Sequence, residues 1–254
     1  MESLSQQIQQ AATLIKQARQ IVAMTGAGIS TPSGIPDFRS PDSGLWDAID
    51  PLAVASIFAF RQNPEIFYNW IHPLAGKLLN ARPNPAHYAL AKLEKTGKLR
   101  AVITQNFDGL HRKAGSQTIY ELHGNLREAT CIRCYAAQDA SRIFEDFVKD
   151  GRIPRCRCGG VLKPNVILFG EQLPMREFVA AQIAVRAADL MLVVGSSLEV
   201  APASDLPTLA LENNARLILI NYQPTYLDRQ ADVVIRADVA EVLPRILELV
   251  TVRG

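Results

Sequence analysis

The chain has 254 residues, with 27 Lys and Arg against 25 Asp and Glu for a net charge of +2, and is 48% hydrophobic and 20% charged. That profile fits a globular protein of one large or two modest domains. It excludes a basic field for nucleic acid or an anionic membrane, and no apolar run approaches the roughly 18 residues of a membrane span.

Leu4, Ile8, Ala11, Ala12 and Ile15 recur at helical spacing, so the chain opens with an amphipathic helix. Ile21 to Met24 is a short apolar run of the size of a strand buried on both faces, and Gly26 and Gly28 follow it directly. A strand entering a glycine loop suits a pyrophosphate, but position 31 is Thr where the dinucleotide fingerprint has its third glycine, so an ordinary strand-to-helix turn stays open. Asp37, Phe38 and Arg39 then place a carboxylate, a ring and a guanidinium side by side, a set that suits a flap over a charged, planar ligand. Asp50-Pro51, Asn63-Pro64 and Asn84-Pro85 each read as a cap followed by proline at the first helical position. The second of these helices is expected to run to about Asn80 with a kink at Pro73, and the third to close at Gly97.

Strands are expected at Leu99–Thr104, Ile119–Glu121, Leu190–Val194, Leu217–Ile220 and Val233–Ile235, with helices over 174–188, 201–213 and Val239–Val250. Strand and helix alternate, which predicts an α/β, doubly wound, mostly parallel sheet interrupted by a helical insertion and a cysteine-bearing one. In such sheets ligands lie beyond the carboxyl ends of the strands. The residues there are small or polar: Gly26, Ala27 and Gly28; Gln105, Asn106 and Asp108; His123; Gly195, Ser196 and Ser197; Asn221. Ser196 and Ser197 suit phosphate or the cap of helix 201–213. Asn221 suits ribose hydroxyls or a turn before Pro224. Asn106 and Asp108 suit a carboxamide together, or a helix cap singly. His123 is a general base or a strand-end histidine bonded to a carbonyl, whereas His72, His87 and His111 read as structural.

Cys131-x-x-Cys134 and Cys156-x-Cys158 stand 21 residues apart, close to a zinc-ribbon spacing, and Gly159-Gly160 would ease the tighter second knuckle. Four thiolates fill a tetrahedral zinc, so the metal is expected to be structural and no cysteine is left as a nucleophile. The Gln-rich start is not a signal peptide. A metal site of thiolates in a leaderless chain points to a reducing, cytoplasmic setting rather than to disulfides.

The run Gly26-Ala-Gly-Ile-Ser30, Gly34-Ile-Pro-Asp-Phe-Arg39, Thr104-Gln-Asn-Phe-Asp108, Leu122-His-Gly-Asn125, the two cysteine pairs, Pro164-Asn-Val-Ile-Leu-Phe-Gly-Glu171 and Gly195-Ser-Ser-Leu-Glu-Val200 resembles, in this order, the sirtuins, NAD-dependent protein-lysine deacylases, and most of all their compact bacterial and archaeal members. The resemblance implies a Rossmann-like NAD-binding domain (1–36, 82–125 and 170–254) and a small domain made of a helical module (37–81) and a zinc module (126–169). NAD and an acyl-lysine peptide would enter the cleft between them from opposite sides, in a chain acting as a monomer. It implies NAD contacts from Ala27, Thr31, Phe38, Arg39, Gln105, His123, Gly195, Ser196, Ser197, Asn221 and Asp238 or Val239, with Gly26, Gly28, Asp37 and Phe107 in the same motifs. Ile35, Asn106 and Asp108 would hold the nicotinamide. Val166, Ile167, Phe169, Glu199 and Val200 would line the peptide tunnel, partly by strand addition.

The implied reaction begins with attack of the acyl oxygen on the ribose carbon that bears nicotinamide. His123 then takes a proton from a ribose hydroxyl, and the products are free lysine, nicotinamide and O-acyl-ADP-ribose. Two positions depart from the family pattern. Phe107 replaces a branched aliphatic residue. Ile71 and Leu74 stand where succinyl- and malonyl-preferring members carry Tyr and Arg, which implies uncharged acyl groups, because an unpaired buried charge is costly. ADP-ribosyl transfer or NAD hydrolysis on the same scaffold, and a non-catalytic zinc-ribbon binding module, are the rival readings. The motif at 164–171 argues against the first and the near-neutral charge against the second.

Overall fold

The computed structural model describes residues 2–37 and 49–251. Its helices are α1 (Leu4–Gln17), α2 (Pro51–Ala55), α3 (Ile57–Gln62), α4 (Pro64–Asn80), α5 (Pro85–Lys95), α6 (Leu110–Ala114), α7 (Ser141–Asp150), α8 (Met175–Ala187), α9 (Leu206–Glu212) and α10 (Val239–Thr251). Its strands are β1 (Ile21–Thr25), β2 (Leu99–Thr104), β3 (Ile119–Glu121), β4 (Gly124–Cys131), β5 (Ala137–Asp139), β6 (Leu162–Val166), β7 (Leu190–Val194), β8 (Arg216–Ile220) and β9 (Val233–Ile235).

Six strands form one parallel sheet in the order β3-β2-β1-β7-β8-β9. The apolar runs explain it: a parallel strand is covered on both faces, so its residues are buried throughout, as all five of β1 and of β7 are. Alternate side chains serve the two faces. Ile21, Ala23, Leu190 and Leu192 pack with α1, α5 and α10, while Val22, Met24, Met191 and Val193 pack with α8 and α9. Each such large side chain contributes about 1.5–3 kcal/mol by burial. The strand order reverses between β1 and β7, and Thr25 lies level with both Thr104 and Val194. Their carboxyl ends therefore open one crevice at the switch point, the place where such sheets hold ligands.

A second sheet, β5-β4-β6, is antiparallel. It shares one core with the helices of residues 51–80. Phe60, Phe67 and Tyr68 from that stretch meet Phe144, Phe147, Leu162 and Val166 from the cysteine-bearing one. Phe60–Phe67, Phe67–Tyr68 and Tyr68–Phe147 are edge-to-face pairs with centroids 5.3, 5.4 and 5.1 Å apart.

Asp50, Asn63 and Asn84 cap α2, α4 and α5 as their spacing predicts, accepting from Leu52, Glu65 and Ala86 N–H. The helix opened by Asp50 breaks at Ser56, because Ala55 and Ile57 exchange backbone hydrogen bonds with Phe169. Pairing with a distant segment overrides the local helical tendency. Pro73 lies inside a continuous α4. The helix expected over 201–213 begins as a single 3-10 turn, and its α portion starts only at Leu206.

Candidate active site

The strand ends and the small module enclose a cavity of about 810 Å³. Gly26, Ala27, Gly28 and Asp37, Gln105, Asn106 and Phe107, His123, Gly195, Ser196 and Ser197, and Asn221 line one end of it. Val166, Ile167, Phe169, Glu199 and Val200 line the same space, and an apolar arm continues between Phe67, Ile71, Ala75, Leu78, Phe144 and Phe147. A small side pocket holds Ile35 with Ala27, Asn106, Phe107, Asp108, Ile71 and Leu74. Thr31, Asp238 and Val239 line neither space: Thr31 bonds Gly28 O at 3.1 Å, Asp238 caps Ala240 N–H at 2.7 Å, and Val239 is buried in the sheet core. Phe38 and Arg39 lie outside the described residues.

The glycines are dictated by crowding between two strand ends. A Cβ on Gly28 would lie 2.8 Å from Gly195 Cα, and one on Gly195 would lie 2.3 Å from Ile29 N, with Gly195 at φ +61°. The loops after β1 and β7 thus touch, and their bare backbone forms a glycine cradle at the crevice. Ser196 does not cap α9. Its hydroxyl donates to Gln105 Oε1 at 2.9 Å and accepts from Leu198 N–H, so it links the ends of β7 and β2.

His123 follows β3 at a corner made by Gly124, whose φ is +75° and where a Cβ would fall 1.9 Å from Asn165 O. No other residue type fits there. His123 Nδ1 is 3.0 Å from Gln105 O. A carbonyl only accepts, so the hydrogen sits on Nδ1 and Nε2 is the basic nitrogen. Of the two readings weighed for this residue, the bond to a carbonyl is observed, and it fixes the tautomer in which Nε2 carries the lone pair.

Asn106 is buried and donates from Nδ2 to Gly26 O (2.9 Å) and Ser30 Oγ (3.1 Å). Asp108 accepts from Ser30 Oγ–H (2.7 Å) and Leu110 N–H (2.8 Å). Burial pushes its carboxyl above the ordinary range, and these two hydrogen bonds oppose the rise. Asn221 Nδ2 donates to Gln223 O, so its side chain does shape the turn before Pro224, at the edge of the cavity.

Two ion pairs beside the cavity were not visible as site features in the sequence. Arg127 bonds Glu121 through both nitrogens at 2.8 and 2.5 Å and spans the His123 corner. Lys163 Nζ reaches Glu171 Oε2 at 2.9 Å and Val166 O at 2.8 Å, while Leu168 N–H also donates to Glu171. Segment 164–171 is thereby tied at both ends. Opposite charges six and eight residues apart in unlike elements have no periodic signature.

The four cysteine sulfurs lie within 4.8 Å of one another, with Cys131–Cys158 at 3.5 Å and Cys134–Cys156 at 3.7 Å. Zinc bound tetrahedrally at about 2.3 Å needs sulfurs about 3.8 Å apart, so the set fits that ion and leaves no open coordination position. Cys131 belongs to the module core and Cys156 packs against it, and none of the four cysteines lines the cavity.

A family profile described as the Sir2 family matches residues 26–202. The chain is 47% identical over 247 residues to "NAD-dependent protein deacylase 2" of Archaeoglobus fulgidus, covering 96% of each chain. It is 46% identical over 229 residues to "NAD-dependent protein deacetylase" of Sulfurisphaera tokodaii, covering 90% of each. Among solved structures, one described as "Structural Basis for the Mechanism and Regulation of Sir2 Enzymes" superposes with a TM-score of 0.91 at 46% identity, covering 97% of this chain and 98% of that one. "The structure of Sir2Af2 bound to a myristoylated histone peptide" superposes with a TM-score of 0.85 at 42% identity, covering 97% of each. With the glycine cradle, the His123 corner and the thiolate cluster in place, these matches make the chain a member of the Sir2 family.

Proposed function

We propose that this protein is an NAD-dependent protein-lysine deacylase, which transfers the acyl group of an acyl-lysine to ADP-ribose and releases nicotinamide and free lysine. One observation carries the reading: a single cavity joins the glycine cradle, the correctly tautomeric His123 and an apolar arm. The names of the relatives support it. When bound, NAD supplies an ADP-ribosyl group activated by a cationic nicotinamide leaving group.

Residues Gly26, Ala27, Gly28, Thr31, Gln105, Gly195, Ser196, Ser197, Asn221, Asp238 and Val239, with Asp37, Phe38 and Arg39 as the flap, are the NAD-binding set in this reading. Ile35, Asn106, Phe107 and Asp108 hold the carboxamide: Asp108 accepts an N–H, and the Asn106 oxygen is its remaining acceptor. His123 Nε2 removes a proton from a ribose hydroxyl. Val166, Ile167, Phe169, Glu199 and Val200 receive the peptide, with Ile167 N–H already tied to His123 O at 2.9 Å. Cys131, Cys134, Cys156 and Cys158 hold structural zinc. The domain division proposed is residues 1–36, 82–125 and 170–254 for NAD, 37–81 for the helical module and 126–169 for the zinc module.

The arm lined by Phe67, Ile71, Ala75 and Leu78 supports uncharged acyl groups, including long chains, since among the described residues no Lys or Arg lines the cavity to pair a carboxylate. Among the described residues no helix is long and apolar enough to cross a membrane. The four-thiolate metal cluster supports a reducing, cytoplasmic setting, and the working unit proposed is a monomer.

Acetyl-, myristoyl- and succinyl-lysine peptides, each incubated with NAD, test the reading. Nicotinamide release must be stoichiometric with free lysine for the first two and far slower for the third. Leu78→Trp, which fills the arm, is expected to remove myristoyl turnover and spare acetyl turnover. Nicotinamide released equally without any peptide would make the protein an NAD hydrolase instead.

A further inference from the structure

His87 on α5 and His111 on α6 take no part in the reaction drawn above and do not line the cavity. They are 0% and 2% exposed, with ring centroids 4.8 Å apart. Their tautomers follow from their neighbours. Asn84 N–H points at His87 Nδ1 at 3.4 Å, so that nitrogen accepts and His87 Nε2 carries the hydrogen. Thr25 Oγ–H donates to Thr104 Oγ1 at 2.8 Å, and His111 Nε2 lies 2.9 Å from Thr25 Oγ1. With the threonine hydrogen committed, His111 Nε2 must donate, and Nδ1 is left with its lone pair. His87 Nε2 and His111 Nδ1, both buried and both without a hydrogen-bond partner, are therefore one donor and one acceptor.

Both ends of this chain of groups hold the same loop. At one end Asn84 Nδ2 donates to Ile29 O (2.7 Å) and Ser33 Oγ (2.9 Å). At the other, Asn106 N–H donates to Thr104 Oγ1 (3.1 Å), and Asn106 Nδ2 returns to Gly26 O and Ser30 Oγ. Ser30 passes its own hydrogen to Asp108. The circuit runs in two arms that meet where the imidazole rings pack with centroids 4.8 Å apart: loop 26–33, Asn84 and His87 on one side, and His111, Thr25, Thr104, Asn106 and the loop again on the other. Along the arm from His111 through Thr25 and Thr104 to Asn106 each hydrogen bond has a direction, so deleting one group leaves a buried partner unsatisfied.

We propose that His87, His111, Thr25 and Thr104 are positioning residues that set the orientation of Asn106 and the glycine loop, and through them the affinity for the nicotinamide end of NAD. The proposal rests on the assignment of NAD to this cleft. It separates these imidazoles from His123, which acts on the reacting atoms.

Thr25→Val removes the hydroxyl at nearly constant shape, and Thr25→Ser keeps it. Thr104→Val and His111→Phe interrupt the circuit at two further points. On the full chain, with acetyl-peptide and NAD, the inhibition constant for nicotinamide is expected to rise about tenfold in the three interrupting variants. The peptide KM should stay within about twofold, and Thr25→Ser should behave as wild type. Wild-type nicotinamide inhibition in a folded Thr25→Val or Thr104→Val would overturn the proposal. So would a parallel rise in peptide KM, which reports general loosening, or a Thr25→Ser as impaired as Thr25→Val. Absence of NAD-dependent lysine release in the wild-type protein would instead bring down the assignment of NAD itself.

Discussion

The parallel sheet and the small module solve the same problem, a buried core, with different materials. The sheet core is aliphatic, drawn from strands whose side chains alternate between two helical layers. The module core adds the buried rings of Phe60, Phe67, Tyr68, Phe144 and Phe147 to its aliphatic residues, and it joins residues 55–78 to residues 129–168, two stretches far apart in the chain. A short three-stranded sheet buries little backbone, so large rings and four thiolates take over the work that aliphatic layers do next door. The contrast suggests that the sheet holds its shape without help, while the module depends on metal and on its partner stretch. The site lies on their border and inherits rigid polar groups from the first and an apolar arm from the second.

The largest expected effect comes from attacking the module. Cys131→Ser should lose zinc, whose binding in small structural sites is worth about 10–16 kcal/mol. Deacylation should vanish while the sheet keeps a cooperative thermal transition. Loss of both transitions together would show that the two regions do not stand apart.

His123→Ala is the complementary experiment on the sheet side. Neither region should unfold, and product formation should fall about 10²–10⁴-fold, the usual worth of a general base. A variant that deacylates at full speed would remove His123 from the mechanism.

Acid should act on the sheet region through its two buried histidines. Burial pushes His87 down to about 4, and His111 lies well below its ordinary value, through burial first and then the neighbouring His87. Unfolding restores both to about 6.5, so between these values the unfolded chain binds protons that the folded one refuses. The stability they confer is full above about pH 6.5 and drains away as pH falls toward 4. Urea midpoints at pH 7 and pH 5 measure it, and His111→Phe should reduce the difference.

The smallest effect concerns one helix end. Asp50→Ala removes the cap of α2 and should cost about 0.5–2 kcal/mol, seen as a lower urea midpoint for the module transition only.

Much of the sheet was legible because a strand covered on both faces must be apolar along its length, and Ile21–Thr25 and Leu190–Val194 have no other use. The proline-and-cap pairs were equally readable, since Asp50, Asn63 and Asn84 satisfy N–H groups within three residues of themselves. Less legible was the break at Ser56, which depends on Phe169 more than a hundred residues away. The same holds for Ser196: by local sequence it suits a helix cap, and its actual partner is the side chain of Gln105.

The amino-acid order by itself determined the strands of the parallel sheet, the cap-and-proline helix starts and the ligand set of the metal site, because periodicity, capping and thiol spacing act over a few residues or through one chemical type. Only the tertiary structure decided that the loops after β1 and β7 touch, that a carbonyl at Gln105 selects the basic nitrogen of His123, and that two histidines meet ring to ring between Asn84 and Thr25. Those facts are distances between residues remote in sequence, and hydrogen-bond direction becomes defined only once the partners have been brought within 3 Å or so of each other.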